Sequence, residues 1–83
     1  MPTILTEDGF RIKVWGPPRE HPPPHVHIEK GAEGLVVIRL RIGEKPLKVW
    51  EVFNVRDDEV LAAVRLVEKH HDTLMAAWKR IHG

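Results

Sequence analysis

A chain of 83 residues has room for one domain built around one apolar core. Its 13 Lys and Arg residues nearly balance its 12 Asp and Glu residues, so a formal charge of +1 gives no large positive field for holding a nucleic-acid backbone. Cysteine is absent from the sequence, which excludes disulfides, thiolate nucleophiles and Cys-ligated zinc. The sequence shows neither the pattern of a signal peptide nor a run of about 18 apolar residues that could span a membrane. We therefore expect a cytoplasmic protein.

Turn-forming residues divide the first part of the chain into short segments in which apolar and polar side chains alternate. Asp8 and Gly9 predict a tight hairpin between strands over 3–5 and 10–15. Five prolines within residues 17–24 predict an extended connector with little strand pairing. Further strands are expected over 25–29, 35–42 and 47–53. The connections are short, which favours antiparallel neighbours.

From residue 54 the apolar period changes from two residues to about three and a half, which predicts an amphipathic helix with Asn54 as its N-cap. About 26 residues at 1.5 Å each span roughly 40 Å, whereas five strands about 4.8 Å apart make a sheet about 20 to 25 Å wide. We therefore expect the helix end, with Trp78 and Ile81, to overhang the sheet and expose an apolar surface. The predicted fold is a single α+β domain, in which a curved antiparallel sheet of about five strands (1–53) packs against one long C-terminal helix (54–83).

The segment 25–29 carries the most chemically versatile side chains. In an extended strand, His25, His27 and Glu29 face one side and the two intervening apolar residues face the other. The two histidine positions lie roughly 6.5 to 7 Å apart along the strand. Two imidazoles at this spacing can converge on one divalent ion, such as zinc or manganese, with Glu29, His21 or a helix residue as a third ligand. Alternatively they perform acid–base chemistry without a metal, as RNA cleavage through the 2′-hydroxyl requires, or are ordinary surface imidazoles.

His70 and His71 are adjacent on the predicted helix, about 100° apart, so at most one of them points squarely at a given neighbour. One interpretation is a histidine at the edge of the core. The other is that His70 or His71 reaches His25 or His27 and completes a site from both halves of the chain.

Basic residues recur in the predicted sheet. Together with Arg11, Lys13 and Lys48, Arg39 and Arg41 could form a basic strip that binds single-stranded nucleic acid. Trp15 or Trp50 would then offer a stacking surface. The simpler interpretation is a solvated sheet face, where charges commonly alternate in this way. The three tryptophans are expected to be core or interface anchors, because a small domain needs large apolar side chains.

Several segments keep an order and spacing that point to a known family. They are Met1-Pro2-Thr3-Ile4, Pro23-Pro24-His25-Val26-His27, Leu66-Val67-Glu68-Lys69-His70, Leu74-Met75 and Trp78. Together they resemble the bacterial family of unknown function DUF4160. The resemblance implies a small α+β domain, commonly encoded beside another short protein in gene pairs that look like toxin–antitoxin modules, and no agreed biochemical activity.

The family positions that carry across are His25, His27, His70 and Trp78. The chain departs from the family pattern by a longer hairpin over Leu35–Phe53 and by the extra proline Pro22, so partner contacts borne by loops do not transfer from relatives.

Two functions remain open. The first is a protein-interaction component of a two-gene module, which binds a small partner protein encoded nearby and which could also form a homodimer. The second is a histidine-dependent RNA endonuclease or nucleic-acid-binding domain, with or without a divalent metal. The candidate residues are His25, His27 and His70 for catalysis, His25, His27 and Glu29 for a metal, and Trp78, Arg39 and Arg41 for binding.

Overall fold

The structure, a computed structural model, describes residues 3–17 and 20–83. Over these residues the chain forms five β-strands followed by two α-helices. The elements are β1 (Thr3–Glu7), β2 (Phe10–Lys13), β3 (His25–Lys30), β4 (Gly34–Arg39), β5 (Lys48–Phe53), α1 (Asp57–Lys69) and α2 (His71–His82). The α+β class is confirmed. Met1 and Pro2 of the family resemblance, and Pro18 of the proline-rich connector, lie outside the described residues.

The strands lie in chain order within one sheet, and each pairs antiparallel with the next. This arrangement confirms the antiparallel sheet predicted from the short connections. The turn between β1 and β2 has positive φ at both central residues, 53° at Asp8 and 79° at Gly9. These angles suit a two-residue hairpin, because such turns match the twist of the flanking strands.

One face of the sheet packs against the helices and forms the core. Val26 and Ile28 of β3 are fully buried on this face, as the alternation of the strand predicts. The core joins them to apolar residues of β2, β4 and both helices. Its other fully buried large residues are Ile12, Val14, Val36, Ile38, Leu40, Val67 and Leu74.

The prediction of one long helix beginning near Asn54 was wrong. Asn54 has φ 55° and lies before the helix, which begins at Asp57 and has Arg56 as its cap residue. The backbone N–H of Arg56 donates to Oε1 of Glu59 at 3.2 Å, which satisfies a donor that the start of a helix leaves open. At His70 the backbone leaves the helical conformation, with φ −109° and ψ 19°, and α2 begins at the next residue.

The predicted apolar overhang at the end of the helix was also wrong. Trp78 is only 4% exposed, and Ile81 packs against the core. The break at His70 allows α2 to bury its own apolar stripe, and the ring of His82 fixes its last turn by a hydrogen bond to the carbonyl of Trp15 at 2.8 Å. In the part of the chain that the structure describes, no helix is long and apolar enough to cross a membrane.

Candidate functional site

Two histidines and one carboxylate meet where β3 begins. His25 and His27 lie on the same side of β3, with ring centroids 5.6 Å apart. The connector before the strand brings Glu20 to both rings. Its Oε2 lies 3.2 Å from Nε2 of His25, and its Oε1 lies 2.6 Å from Nε2 of His27. We refer to Glu20, His25 and His27 as the histidine–glutamate cluster.

The two imidazoles are held differently. Nδ1 of His25 lies 2.8 Å from the carbonyl oxygen of Pro23. Because a carbonyl accepts and never donates, Nδ1 carries a proton, and Nε2 is the nitrogen directed at Glu20. Nε2 of His27 is shielded from solvent and lies against Oε1 of Glu20, in a close contact that lacks the geometry of a well-formed hydrogen bond but still couples the two groups.

Burial and mutual charge set the proton affinities of the cluster. Burial lowers the pKa of His27 below 6.5, and the charge of His25 lowers it further, although Glu20 acts in the opposite direction. Burial alone would raise the pKa of Glu20, but the hydrogen bond with His25 and the charges that both histidines can carry outweigh it, and the pKa falls below 4.5. The cluster therefore favours an ionised carboxylate beside a neutral His27.

Aromatic rings enclose His25. Its ring centroid lies 5.0 Å from that of Trp50 in β5 and 5.2 Å from that of Trp78 in α2. His25 is consequently 5% exposed. A cavity of about 360 Å³ lies beside the cluster and is also lined by His21 and Glu51. The helix thus contributes an indole to the surroundings of His25.

Glu29, the predicted third metal ligand, is paired elsewhere. Its Oε1 lies 2.9 Å from Nζ of Lys13 and 3.3 Å from Nη2 of Arg11, both on β2. The hydrogen bond from Lys13 is the main reason why the pKa of Glu29 is lowered. The structure instead places Glu20 beside the imidazoles. Strand patterns do not predict Glu20, because it precedes β3 and has no strand register; its position five residues before His25 is the one signal in the sequence.

His70 and His71 do not complete the histidine–glutamate cluster in the described structure. Nε2 of His70 lies 2.8 Å from Oε1 of Glu7 on β1. Nε2 of His71 accepts a hydrogen bond from the backbone N–H of Arg41 at 2.9 Å. Both rings therefore fasten the junction of the two helices to the sheet.

The predicted basic binding residues have local partners. Nη2 of Arg39 donates to the carbonyl of Pro46 at 2.5 Å, and Nη1 of Arg41 lies 3.9 Å from Oε2 of Glu68. Trp78, the third predicted binding residue, is buried in the core. Nucleic-acid binding by Arg39 and Arg41 stays a prediction.

Strand β5 carries a group of exposed apolar side chains at one end of the sheet. We call the group the β5 edge patch; its members are Val49 (37% exposed), Trp50 (43%), Val52 (44%) and Phe53 (60%). In the strand order β5 is last, so its outer backbone edge has no neighbouring strand among the described residues. Solvent-exposed apolar residues beside an open backbone edge are typical of surfaces that bind another chain.

Comparison with known proteins identifies a family. Residues 9–79 match the model described as "Domain of unknown function (DUF4160)", and the chain belongs to this family. No curated protein and no solved structure matches the chain.

Proposed function

We propose that this DUF4160 domain works as a protein-interaction module rather than by turnover. Its partner is the small protein encoded beside it in a two-gene, toxin–antitoxin-like module in the cytoplasm, and the docking surface is the β5 edge patch. The observation that supports the proposal is the exposure of this patch along an open strand edge. A strand of the partner would pair with the outer edge of β5, and its alternate side chains would cover the apolar ones.

The position of the helices explains why β5 is available. Val52 of β5 lies opposite Val36 of β4, on the face of the sheet that packs against the helices. Val36 is fully buried, whereas Val52 is 44% exposed. The helix layer therefore covers β4 and leaves much of β5 open to a partner.

A bulge limits where the partner strand can pair. Val37 lies opposite Glu51 and Ile38 lies opposite Val49, so Trp50 is the extra residue in β5. Bulges usually protect an edge from unwanted pairing. Beyond the bulge, residues 51–53 pair regularly with β4 and present Val52 and Phe53, so we place the main contact there.

Co-expression with the neighbouring gene product, followed by size-exclusion chromatography, tests this proposal. We expect the two proteins to elute together, and we expect Val52→Lys combined with Phe53→Lys to abolish co-elution while thermal unfolding stays close to that of the wild type. Thr3→Lys combined with Thr6→Lys on β1 is the matched control, since it places the same charge at exposed positions of the opposite edge strand. Failure of the wild type to co-elute, or full co-elution of the Val52→Lys/Phe53→Lys variant, contradicts the proposal.

The second candidate is an RNA endonuclease that acts through His25 and His27. It is favoured by two imidazoles 5.6 Å apart beside an open cavity, where Trp50 provides a ring on which a base could stack. Cleavage through the 2′-hydroxyl needs one group that takes a proton and one that gives a proton, and the lowered pKa of His27 suits the first role. However, His25 is 5% exposed, and a general acid must reach its substrate, so we rank this function second.

RNA cleavage and toxicity assays on a His25→Ala/His27→Ala double variant test the second candidate. Loss of cleavage and toxicity supports it, provided that His21→Ala, an exposed histidine at the same cavity, keeps both. Full retention by the double variant removes the nuclease from consideration.

A further inference from the structure

We propose that Glu20, His25 and His27 bind one divalent transition-metal ion, and that zinc suits this donor set best. The three residues each offer one ligand atom, and these atoms lie within 4.8 Å of one another. Two imidazole nitrogens and one carboxylate oxygen are a donor set that zinc uses when a fourth position is left to water or another ligand. The metal site shares Trp50 with the β5 edge patch, but the proposal does not depend on partner binding.

His25 is fixed in the orientation that a metal ligand needs. The carbonyl of Pro23 accepts from Nδ1, which leaves Nε2 directed into the cluster. Metal-binding histidines almost always donate their second ring nitrogen in this way, because the bond fixes both the tautomer and the ring direction. The indoles of Trp50 and Trp78 also restrict the ring, which is 95% removed from solvent.

His27 directs its ring at the same carboxylate. Its buried Nε2 lies 2.6 Å from Oε1 of Glu20, in a contact that lacks the geometry of a well-formed hydrogen bond. An ion between this nitrogen and the carboxylate would satisfy both atoms.

An ion in this cluster requires the carboxylate of Glu20 to move. Bonds of about 2.1 Å in a tetrahedral site separate neighbouring ligand atoms by about 3.4 Å. The 3.2 Å between Oε2 of Glu20 and Nε2 of His25 is close to this value, whereas the 2.6 Å between Oε1 of Glu20 and Nε2 of His27 is shorter by roughly 0.8 Å. The carboxylate must therefore turn for one of its oxygens to bind an ion that both imidazoles share. Glu20 lies in the connector and not in a strand, so its carboxylate can turn without disturbing the sheet.

A second histidine–carboxylate contact in the chain provides a comparison. Glu7 is bound by His70 at 2.8 Å and by Nζ of Lys69 at 2.7 Å. There the lysine supplies a positive charge that offsets the carboxylate. In the histidine–glutamate cluster a second imidazole stands where the other contact has its lysine. No lysine charge then offsets the carboxylate of Glu20, and a bound metal ion could supply that positive charge.

Titration of the chelator-treated protein with Co²⁺, followed by competition with Zn²⁺, tests the site. Co²⁺ reports its ligands by visible absorption, and it is expected to quench the fluorescence of Trp50 and Trp78, whose rings lie beside His25. We expect one ion per chain, displacement of Co²⁺ by Zn²⁺, and a higher thermal unfolding temperature with Zn²⁺.

The variants Glu20→Gln and His27→Ala are expected to weaken Zn²⁺ binding by more than about 100-fold, which exceeds the loss typical of an outer partner. His70→Gln is the matched control, because it removes a histidine from the other carboxylate contact, and it should bind as the wild type does. Circular dichroism establishes that the variants are folded. Should wild type, Glu20→Gln and His27→Ala bind the ion equally, or should the folded wild type show no saturable binding, the proposal is overturned and the cluster is an ion-paired structural element.

Discussion

The indole of Trp78 in α2 lies against the imidazole of His25 at the start of β3, with ring centroids 5.2 Å apart and planes at 48°. Trp78 also stacks on His82, with centroids 3.5 Å apart and planes at 15°. His82 in turn donates to the carbonyl of Trp15, just after β2. The indole therefore belongs to the core and to the wall of the histidine–glutamate cluster at once.

Truncation of Trp78 is expected to cost the domain much of its stability. Trp78 is 4% exposed, and replacing a buried tryptophan by alanine typically lowers the free energy of unfolding by about 3 to 5 kcal/mol. Urea and thermal unfolding of Trp78→Ala measure the loss. Trp50→Ala is the control, since Trp50 also contacts His25 but is 43% exposed and should lose much less. Unchanged unfolding of Trp78→Ala would contradict the position of Trp78 in the core.

Local patterns predicted the strands of this domain well. The alternation around Val26 and Ile28 placed the buried face of β3, and Asp8 with Gly9 placed the first hairpin. Both signals depend on neighbouring residues, so they can be read without knowledge of the tertiary structure.

The division of the helix at His70 could not be predicted in the same way. Residues 69–72 contain neither glycine nor proline, and the apolar period continues through them. The junction is instead held by two histidines whose partners are distant: Glu7 is 63 residues from His70, and Arg41 is 30 residues from His71. The position of Glu20 could not be predicted for a related reason. A connector without strand pairing gives no rule for the direction of its side chains.

His71 is expected to make the protein less stable in mild acid. Burial is the main cause of its lowered pKa, and the charge of Arg41 adds to it, while Asp72 and Glu68 act in the opposite direction. As the pH falls below the ordinary value of 6.5, the unfolded chain binds a proton before the folded one does. The free energy of unfolding should therefore decrease as the pH falls from 6.5 to the lower pKa of His71 in the folded state. Below that pKa, His71 causes no further decrease.

Urea unfolding of His71→Gln across this pH range measures the effect. The glutamine retains an acceptor for the N–H of Arg41 but does not titrate, so its stability should change less with pH than that of the wild type. His21→Gln, at an exposed position, should keep the pH dependence of the wild type. Identical pH profiles for His71→Gln and the wild type would count against a buried neutral His71.

Glu7 is expected to give a second, more acidic loss of stability. Its hydrogen bonds with Lys69 and His70 lower its pKa below 4.5. A carboxyl with a lowered folded pKa stabilises the protein above its unfolded pKa, and this contribution disappears as the pH falls through the folded pKa. Glu7→Gln should therefore unfold more easily than the wild type near neutral pH and lose less stability between pH 4.5 and more acidic conditions.

Salt provides a control for the electrostatic origin of the Glu7 effect. Because these groups lie near the surface, added salt should reduce the difference between Glu7→Gln and the wild type. Glu33→Gln, at an exposed position, should show no comparable difference. A difference that is independent of both salt and pH would indicate that Glu7 acts through packing alone.

Gly34, the first residue of β4, is expected to tolerate no larger side chain. A Cβ atom at this position would lie 2.6 Å from the carbonyl oxygen of Lys30 and 3.0 Å from Cγ2 of Val55. The first contact involves backbone of the paired strand β3, so it can be relieved only by a shift of the hairpin. We expect Gly34→Ala to lower the free energy of unfolding by about 1 to 3 kcal/mol, the usual cost of overpacking, as measured by urea unfolding.

A double variant separates the contact with Val55 from the contacts with Lys30. Val55→Ala removes the first but leaves the carbonyl and Cβ of Lys30 in place, so Gly34→Ala should remain destabilising in that background, by a smaller amount. Glu33→Ala, the exposed neighbour, should have little effect. Complete rescue by Val55→Ala would show that the contact with Val55 alone excludes a larger residue and that the turn between β3 and β4 can move.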